Sequence, residues 1–263
     1  MEPLIVTADN AADQIELARC RAGLAPGQRY RGCLRRTTRY GRQPGFIKAA
    51  NVFPRIPREQ WKDLIIEGKG TFLGDLTRPV LAPHDQGDTN YCWAHGCVRA
   101  VEALRVYEGQ APMILSAESI AVPITSGRNR AGTAAEALRQ LADQGACKQS
   151  LWPLNERDVR LADPRWMLER QNHVVLNWMD LEDFDDQITL ALHRIPVPIG
   201  LDWWGHEVCQ LDPVILPDGS VGIGCDNSWG ADYGDNGYFL LDEAHGTSDL
   251  GAFAPISETW GLT

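Results

Sequence analysis

The run Asp85-Gln86-Gly87-Asp88-Thr89-Asn90-Tyr91-Cys92-Trp93-Ala94-His95-Gly96-Cys97 constrains this chain more than any other stretch. A polar, Gly-bearing loop stops at Cys92, and an apolar-periodic segment begins. Trp93, Ala94, Cys97, Val98, Ala100, Val101, Leu104 and Tyr107 recur at spacings of three and four and cover much of a helical circumference. The pattern predicts a helix from Cys92 to about Glu108, packed on more than one side, around which a core must assemble. It also sets a thiol at a helix start, with the amide of Gln86 six residues upstream. Unpaired N–H groups there lower a thiol's pKa and favour developing negative charge. A cysteine nucleophile needs both effects, so the rest of the chain must supply a base and a group to orient it.

The chain has 263 residues, enough for one large domain or two small lobes. No apolar run approaches the roughly 20 residues that span a bilayer. The first 19 residues carry Glu2, Asp9, Asp13 and Glu16 and lack the basic start and apolar stretch of a secretory signal. A cytoplasmic protein is expected, of a kind at home in bacteria and their phages. The seven cysteines (Cys20, Cys33, Cys92, Cys97, Cys147, Cys209 and Cys225) are an odd number without any CxxC pair. Reduced thiols are expected rather than a disulfide framework, and neither a metal nor a cofactor. Net charge is −10, yet twelve Lys or Arg and a single acid, Glu59, lie between Arg19 and Lys62. That arm suits its own acidic catalytic domain or a partner protein; nucleic acid is the less favoured partner.

In chain order, residues 8–21 read as an amphipathic helix with Ile15, Leu17 and Ala18 as its apolar content and Asp9 or Asn10 as cap. From Ala22 to Pro57 an extended arm is expected, with turns at 25–27 and 43–45, strapped down by Tyr30, Tyr40 and Phe46. Pro57 to Glu67 reads as a helix, 71–83 as a Pro-punctuated connector, and Ser116 as the cap of a further helix. After a polar loop at 126–132, a helix runs from Thr133 to about Gln144 and ends at Gly145. Strand-like segments then take over at 173–178, 195–201, 207–211, 220–225 and 238–241, with one helix at 181–193 and a turn at 217–220. Helices first and strands afterwards imply an α+β protein of two lobes with a cleft where they meet. The expected division is a basic extension over 1–75, a helical lobe over 76–172 and a β lobe over 173–263.

In the β half, His206 opens a strand in Trp203-Trp204-Gly205-His206-Glu207-Val208, and Asn227 closes a later one in Cys225-Asp226-Asn227-Ser228-Trp229-Gly230. A hairpin joining these strands would set His206 beside Asn227, so that the imidazole pairs with the Cys92 thiolate while the amide orients it. These motifs, in this order, resemble the papain family of cysteine peptidases. Gln86-Gly87 followed by Cys92-Trp93-Ala94 is similar to the family's oxyanion-hole and nucleophile motif, and Leu115-Ser116 to the helix start after it. Gly205-His206 resembles the catalytic His region. Asn227-Ser228-Trp229-Gly230 with Tyr233-Gly234 and Gly237-Tyr238 resembles the C-terminal signature. The likeness covers residues 80 to about 243; the first 75 residues stand where family members often carry a pro-region.

The resemblance implies a papain-like two-lobe fold, with a helical lobe around the central helix, an antiparallel β-barrel-like lobe, and the active site between them. It implies that Cys92 attacks a carbonyl carbon and that His206 pairs with it and protonates the leaving amine. Asn227 orients His206, and Trp229 shields that hydrogen bond from water. Gln86 and the Cys92 N–H hold the oxyanion, an effect worth roughly 3 kcal/mol per donor. Gly132 falls where the family's backbone holds an extended substrate, although its paired glycines read Ala131-Gly132 here. Thr89 stands where the family has a structural Cys. Only four residues separate Leu201 from His206, where the family inserts a long segment, so that side of the cleft is expected to be open unless Trp203 and Trp204 fill it. His95, one helical turn beyond Cys92, reads as a core or rim residue rather than a competing partner. The function implied is a cysteine-type endopeptidase, made as a zymogen, acting on peptides or proteins. Two alternatives stay open: a cysteine amidase acting on cell-wall peptides, and a structural module of a larger assembly such as a phage particle.

Overall fold

The computed structural model describes residues 3–21, 32–34, 47–248 and 251–256. Its helical lobe is built on α4 (Cys92–Tyr107), in which every residue from Cys92 to Leu104 is buried. That burial on all sides is what the dense apolar periodicity demands. Against α4 pack α5 (Glu118–Thr125) and α6 (Ala134–Gln144). The start of α6 is set by a capping box: Thr133 accepts the Glu136 N–H, and the Glu136 carboxylate accepts the Thr133 N–H. Gly145 ends it at φ 74°, a conformation that costs a residue with a Cβ.

The second lobe is an eight-stranded, mostly antiparallel sheet. Its strands are β1 (Ile5–Val6), β2 (Ile47–Lys48), β3 (Asn177–Leu181), β4 (Val197–Leu201), β5 (His206–Ile215), β6 (Val221–Asp226), β7 (Tyr238–Leu241) and β8 (Gly251–Ile256). Their spatial order is β1-β7-β6-β5-β4-β8-β3-β2. The long central strand β5 is buried over its first eight residues, because α4 covers one face and α8 (Phe184–Leu192) the other. The β5–β6 hairpin pairs Cys209 with Asp226 and turns where Leu216 N–H meets Ser220 C=O. It therefore brings the start of β5 and the end of β6 to the same end of the sheet.

Several expectations shift. The strand read at 173–178 lies at Asn177–Leu181, because His173 belongs to a helical corner where its ring pairs with Glu169. The connector 71–83 contains a short helix, α3 (Leu73–Thr77), held by the Gly74 N–H on the buried carboxylate of Asp212. The two-residue strands β1 and β2, and β8, are additions that no residue pattern announced. The N-terminal helix α1 (Ala11–Arg21) buries Ala18 and Gln14 and packs Leu17 on the core, while Ile15 is left exposed. The turns read at 25–27 and 43–45, and Tyr30, Tyr40 and Phe46, lie outside the described residues.

Three described basic residues of the N-terminal region, Lys48, Arg55 and Arg58, lie on acidic partners of the second lobe. Lys48 pairs with Glu182, and Arg55 reaches Asp183 at 2.9 Å and Asp186 at 2.8 Å. Arg58, on α2 (Arg58–Glu67), bridges Asp185 at 2.6 Å and Glu243 at 2.8 Å. These pairs are largely solvent-exposed and each adds little by itself; the apolar anchors Trp61 and Ile65, buried against the α8 region, hold the helix in place.

Candidate active site

Cys92 is the first residue of α4 and is fully buried. Tyr91 precedes it as a cap without a side-chain bond, and its carbonyl accepts from Ala94 and His95. The thiol thus occupies the first turn, where helix N–H groups point outward. The preceding loop is laced to the loop after β6. Gln86 N–H donates to Ser228 C=O at 2.8 Å, Ser228 Oγ donates to Gln86 Oε1 at 2.6 Å, and Gly230 N–H donates to His84 C=O at 2.8 Å. Gln86 Nε2 donates to Thr89 C=O at 2.6 Å and Thr89 Oγ1 to Gln86 C=O at 2.7 Å, so Thr89 closes this turn by hydrogen bonding.

Across the lobes, His206 Nε2 lies 2.8 Å from Asn227 Oδ1, and that oxygen also accepts the Ser228 N–H at 2.7 Å. The imidazole is enclosed by aromatic rings. Trp229 lies tilted at 4.7 Å between centroids, and Trp204 meets it edge-on at 4.9 Å. Burial holds His206 down to about 4, with the Asn227 bond only partly offsetting it, so the ring is neutral in this state. Trp203 stacks on Trp204 and donates its indole N–H to His245 C=O, while Trp204 donates to Gln14 C=O on α1. The two tryptophans and α1 fill the side of the cleft that the short β4–β5 connection leaves open. Arg21, at the end of α1, donates to Trp229 C=O and lies over the Trp229 ring.

Gly132 packs on the Trp93 ring; a Cβ there would come within 2.5 Å of it. Its backbone is occupied. Leu34 N–H donates to Gly132 C=O at 2.7 Å, and Gly132 N–H donates to Gly32 C=O at 3.2 Å. From the other lobe, Gly205 C=O accepts the N–H groups of Gly32 and Cys33 at 3.0 and 3.2 Å. Residues 32–34 thus bridge the lobes as a strap between Gly132 and the residue before His206. A concavity of about 850 Å³ lies elsewhere, beside Trp166 and Arg170.

The sequence leads us to expect a strapped arm over 22–57 but not its contact points here, nor the Gly205 carbonyl and Glu207. The strap depends on contacts distant in sequence, with no local signal. Glu207 did leave one: a carboxylate directly after His206 at the start of a central strand. His95 is buried, with its Nδ1 3.0 Å from His84 Nδ1. Burial and then the neighbouring His84 hold it well below the usual histidine range. It belongs to a buried chain running through His84, Glu102, Arg99 and Asp226. The seven cysteines are in the thiol form, none joined in a disulfide among the described residues. Among the described residues, no cluster of side chains is arranged to hold a metal ion, and no helix is long and apolar enough to cross a membrane.

No family model matches the chain, and no curated protein matches it. Solved structures do. Digestive procathepsin L 3 of the Tenebrio molitor larval midgut superposes with a TM-score of 0.58 at 19% identity, over 67% of this chain and 66% of that one. Xylellain, a cysteine protease from Xylella fastidiosa, gives 0.57 at 18% over 67% and 83%. A structure from work on the mite allergens Blo t 1 and Der p 1 gives 0.63 at 15% over 94% and 91%. The fold is that of the papain-like cysteine proteases. This chain spans just under two thirds of the length of the procathepsin it matches. At such identities the papain-like fold is what the likeness shows, and the chemistry has to be argued from the residues.

Proposed function

We propose that the chain is a cysteine-type endopeptidase held in a latent form by its own N-terminal region. The observation that carries this reading is the lacing of two loops into one unit: Gln86 bonded to Ser228, beside His206 Nε2 held by Asn227 Oδ1. In the reaction, His206 Nδ1 takes the Cys92 proton and the thiolate attacks the peptide carbonyl carbon. The oxyanion is held by the Cys92 N–H and a hydrogen of the Gln86 amide. Collapse expels the amine, which receives its proton from His206, and leaves a thioester. Water, deprotonated by His206, then attacks the thioester and releases the acid and the thiol. Asn227 keeps the ring in the tautomer that directs Nδ1 to sulfur, and Trp229 screens that bond from water.

Residues 1–75 are, on this reading, the pro-region. Residues 32–34 take the backbone bonds of Gly132 and Gly205 that an extended substrate requires, and the buried neutral His206 suits a resting state. Strap departure admits water to His206, which raises its pKa toward the range where a thiolate–imidazolium pair forms.

An irreversible epoxide probe, read by intact mass, tests this. Wild type is expected to gain one adduct and Cys92→Ala none. Cys33→Glu, which sets a second carboxylate against buried Glu207 and loosens the strap, should label about tenfold faster or more. The absence of an adduct on both wild type and folded Cys33→Glu ends the peptidase reading.

A further inference from the structure

Glu207 follows the base in sequence and lies fully buried where the strap crosses the lobes. Its Oε2 accepts from the Cys33 thiol at 3.5 Å and its Oε1 from the Cys97 thiol, also at 3.5 Å. The carboxylate presses on α4 at Gly96, where an added Cβ would stand 3.1 Å from Oε1. Cys97 also reaches Ala134 C=O at 3.7 Å, which completes that wall. The side of the carboxyl group that faces Cys33 is thus the side turned to the strap. Thiols are weak donors, and a buried carboxyl group matched only by thiols is a polar group waiting for a better one. When the strap leaves, Cys33 leaves with it.

Resting on the peptidase reading above, we propose that Glu207 forms the floor of the principal specificity pocket and selects polypeptide substrates with a compact hydrogen-bond-donating side chain there, asparagine foremost, then threonine and serine. The reach of the pocket decides the class. A carboxamide nitrogen stands about 0.6 Å farther from its Cβ than a thiol sulfur does, and an N–H···O bond is about 0.6 Å shorter than the Cys33 contact. Asparagine in the place of Cys33 therefore meets Oε2 at normal bond length. A carboxamide facing a protonated carboxyl group makes two complementary bonds. Burial raises Glu207 well above the usual carboxylate range, with the Cys97 and Cys33 bonds only partly opposing it, which favours the acid form. Lysine and arginine overshoot the floor, and leucine leaves the carboxyl group unpaired.

The test profiles wild type and Glu207→Leu against a peptide library in which each position on the acyl side of the cleaved bond is varied in turn. Wild type should prefer asparagine over leucine at one position by about tenfold or more in kcat/KM, since a site built for a hydrogen bond rejects the isostere that lacks it. Glu207→Leu should reverse that order while still cleaving. Identical profiles overturn the proposal. If neither wild type nor the strap-loosened Cys33→Glu cleaves a library member, the peptidase reading fails, and the pocket is judged by its tethered occupant. Cys33→Asn and Cys33→Leu are then compared in the full chain. With Glu207 present, Cys33→Asn should melt about 3 °C or more above Cys33→Leu, and the order should invert in the Glu207→Leu background. The same order in both backgrounds overturns the pocket assignment.

Discussion

Two buried glutamates flank the central helix, and their surroundings differ in every respect that matters. Glu102, on α4, accepts from His84 Nε2 at 2.9 Å, from Arg99 Nη1 at 3.0 Å and from the Leu115 N–H at 2.6 Å. Burial alone would raise its pKa, but His84, Arg99 and the Leu115 N–H outweigh burial and hold it below the usual range. Glu207, on β5, has two thiols, and burial wins. One carboxylate is a finished joint of the architecture. The other is a polar group kept at a cost, in the groove, against the part of the chain that occupies it. Buried polar groups that break local rules mark functional positions, and this contrast separates the two kinds within one helix length.

The largest effect should come from breaking the finished joint. Glu102→Ala leaves His84, one arm of Arg99 and the Leu115 N–H buried without their shared acceptor, and is expected to cost about 3–5 kcal/mol. Urea unfolding would show the midpoint collapse with the slope retained. A loss below about 1 kcal/mol would mean the joint is not a stabilising element.

Arg99 comes next. Its Nε donates to Asp226 at 2.6 Å and its Nη1 to Glu102, so it ties the helical lobe to the residue before Asn227. Arg99→Met should destabilise by about 2–4 kcal/mol, and a double-mutant cycle with Glu102→Gln should return a coupling above about 1 kcal/mol. Coupling near zero would break the claim that these residues act as one network. If the peptidase reading holds, kcat should fall with Arg99→Met more than KM rises, because the orienting amide of Asn227 hangs from Asp226.

These residues show what sequence can and cannot disclose. Cys92, Gln86, His206 and Asn227 stand out because each lies in a motif of a few adjacent residues, and the helix at 92 because burial on all sides writes a dense periodic pattern. The hairpin that brings His206 to Asn227 follows from alternation and a turn. Glu102 and Arg99 look like ordinary charges on a helix; their burial depends on α3, β5 and the 84–86 loop converging from distant parts of the chain. Residues 32–34 carry no pattern, since their bonds run from backbone to backbone, with Gly132 and Gly205. β1 and β2 are two residues long, too short for alternation to register.

The smallest effect sharpens the comparison most. Glu102→Gln and Glu207→Gln change the same atoms and should respond to pH with opposite sign. Glu102 has a folded pKa below its unfolded value. Its stabilising contribution is complete above the unfolded value and is lost as pH falls through the folded one, so the deficit of Glu102→Gln should shrink on acidification below about pH 4. Glu207 has a folded pKa well above its unfolded value. Its protonated form is matched in both variants at low pH, so Glu207→Gln should equal wild type within about 0.5 kcal/mol there. As pH rises through the unfolded value of about 4.3, the unfolded chain gives up its proton before the folded one does, and wild type falls behind. By pH 8 the glutamine variant should lead by on the order of 1 kcal/mol. Thermal melts of the three proteins from about pH 2 to pH 8 read both slopes at once. Parallel curves would show that the two carboxylates are alike, and would remove the basis for treating Glu207 as a group that awaits a substrate.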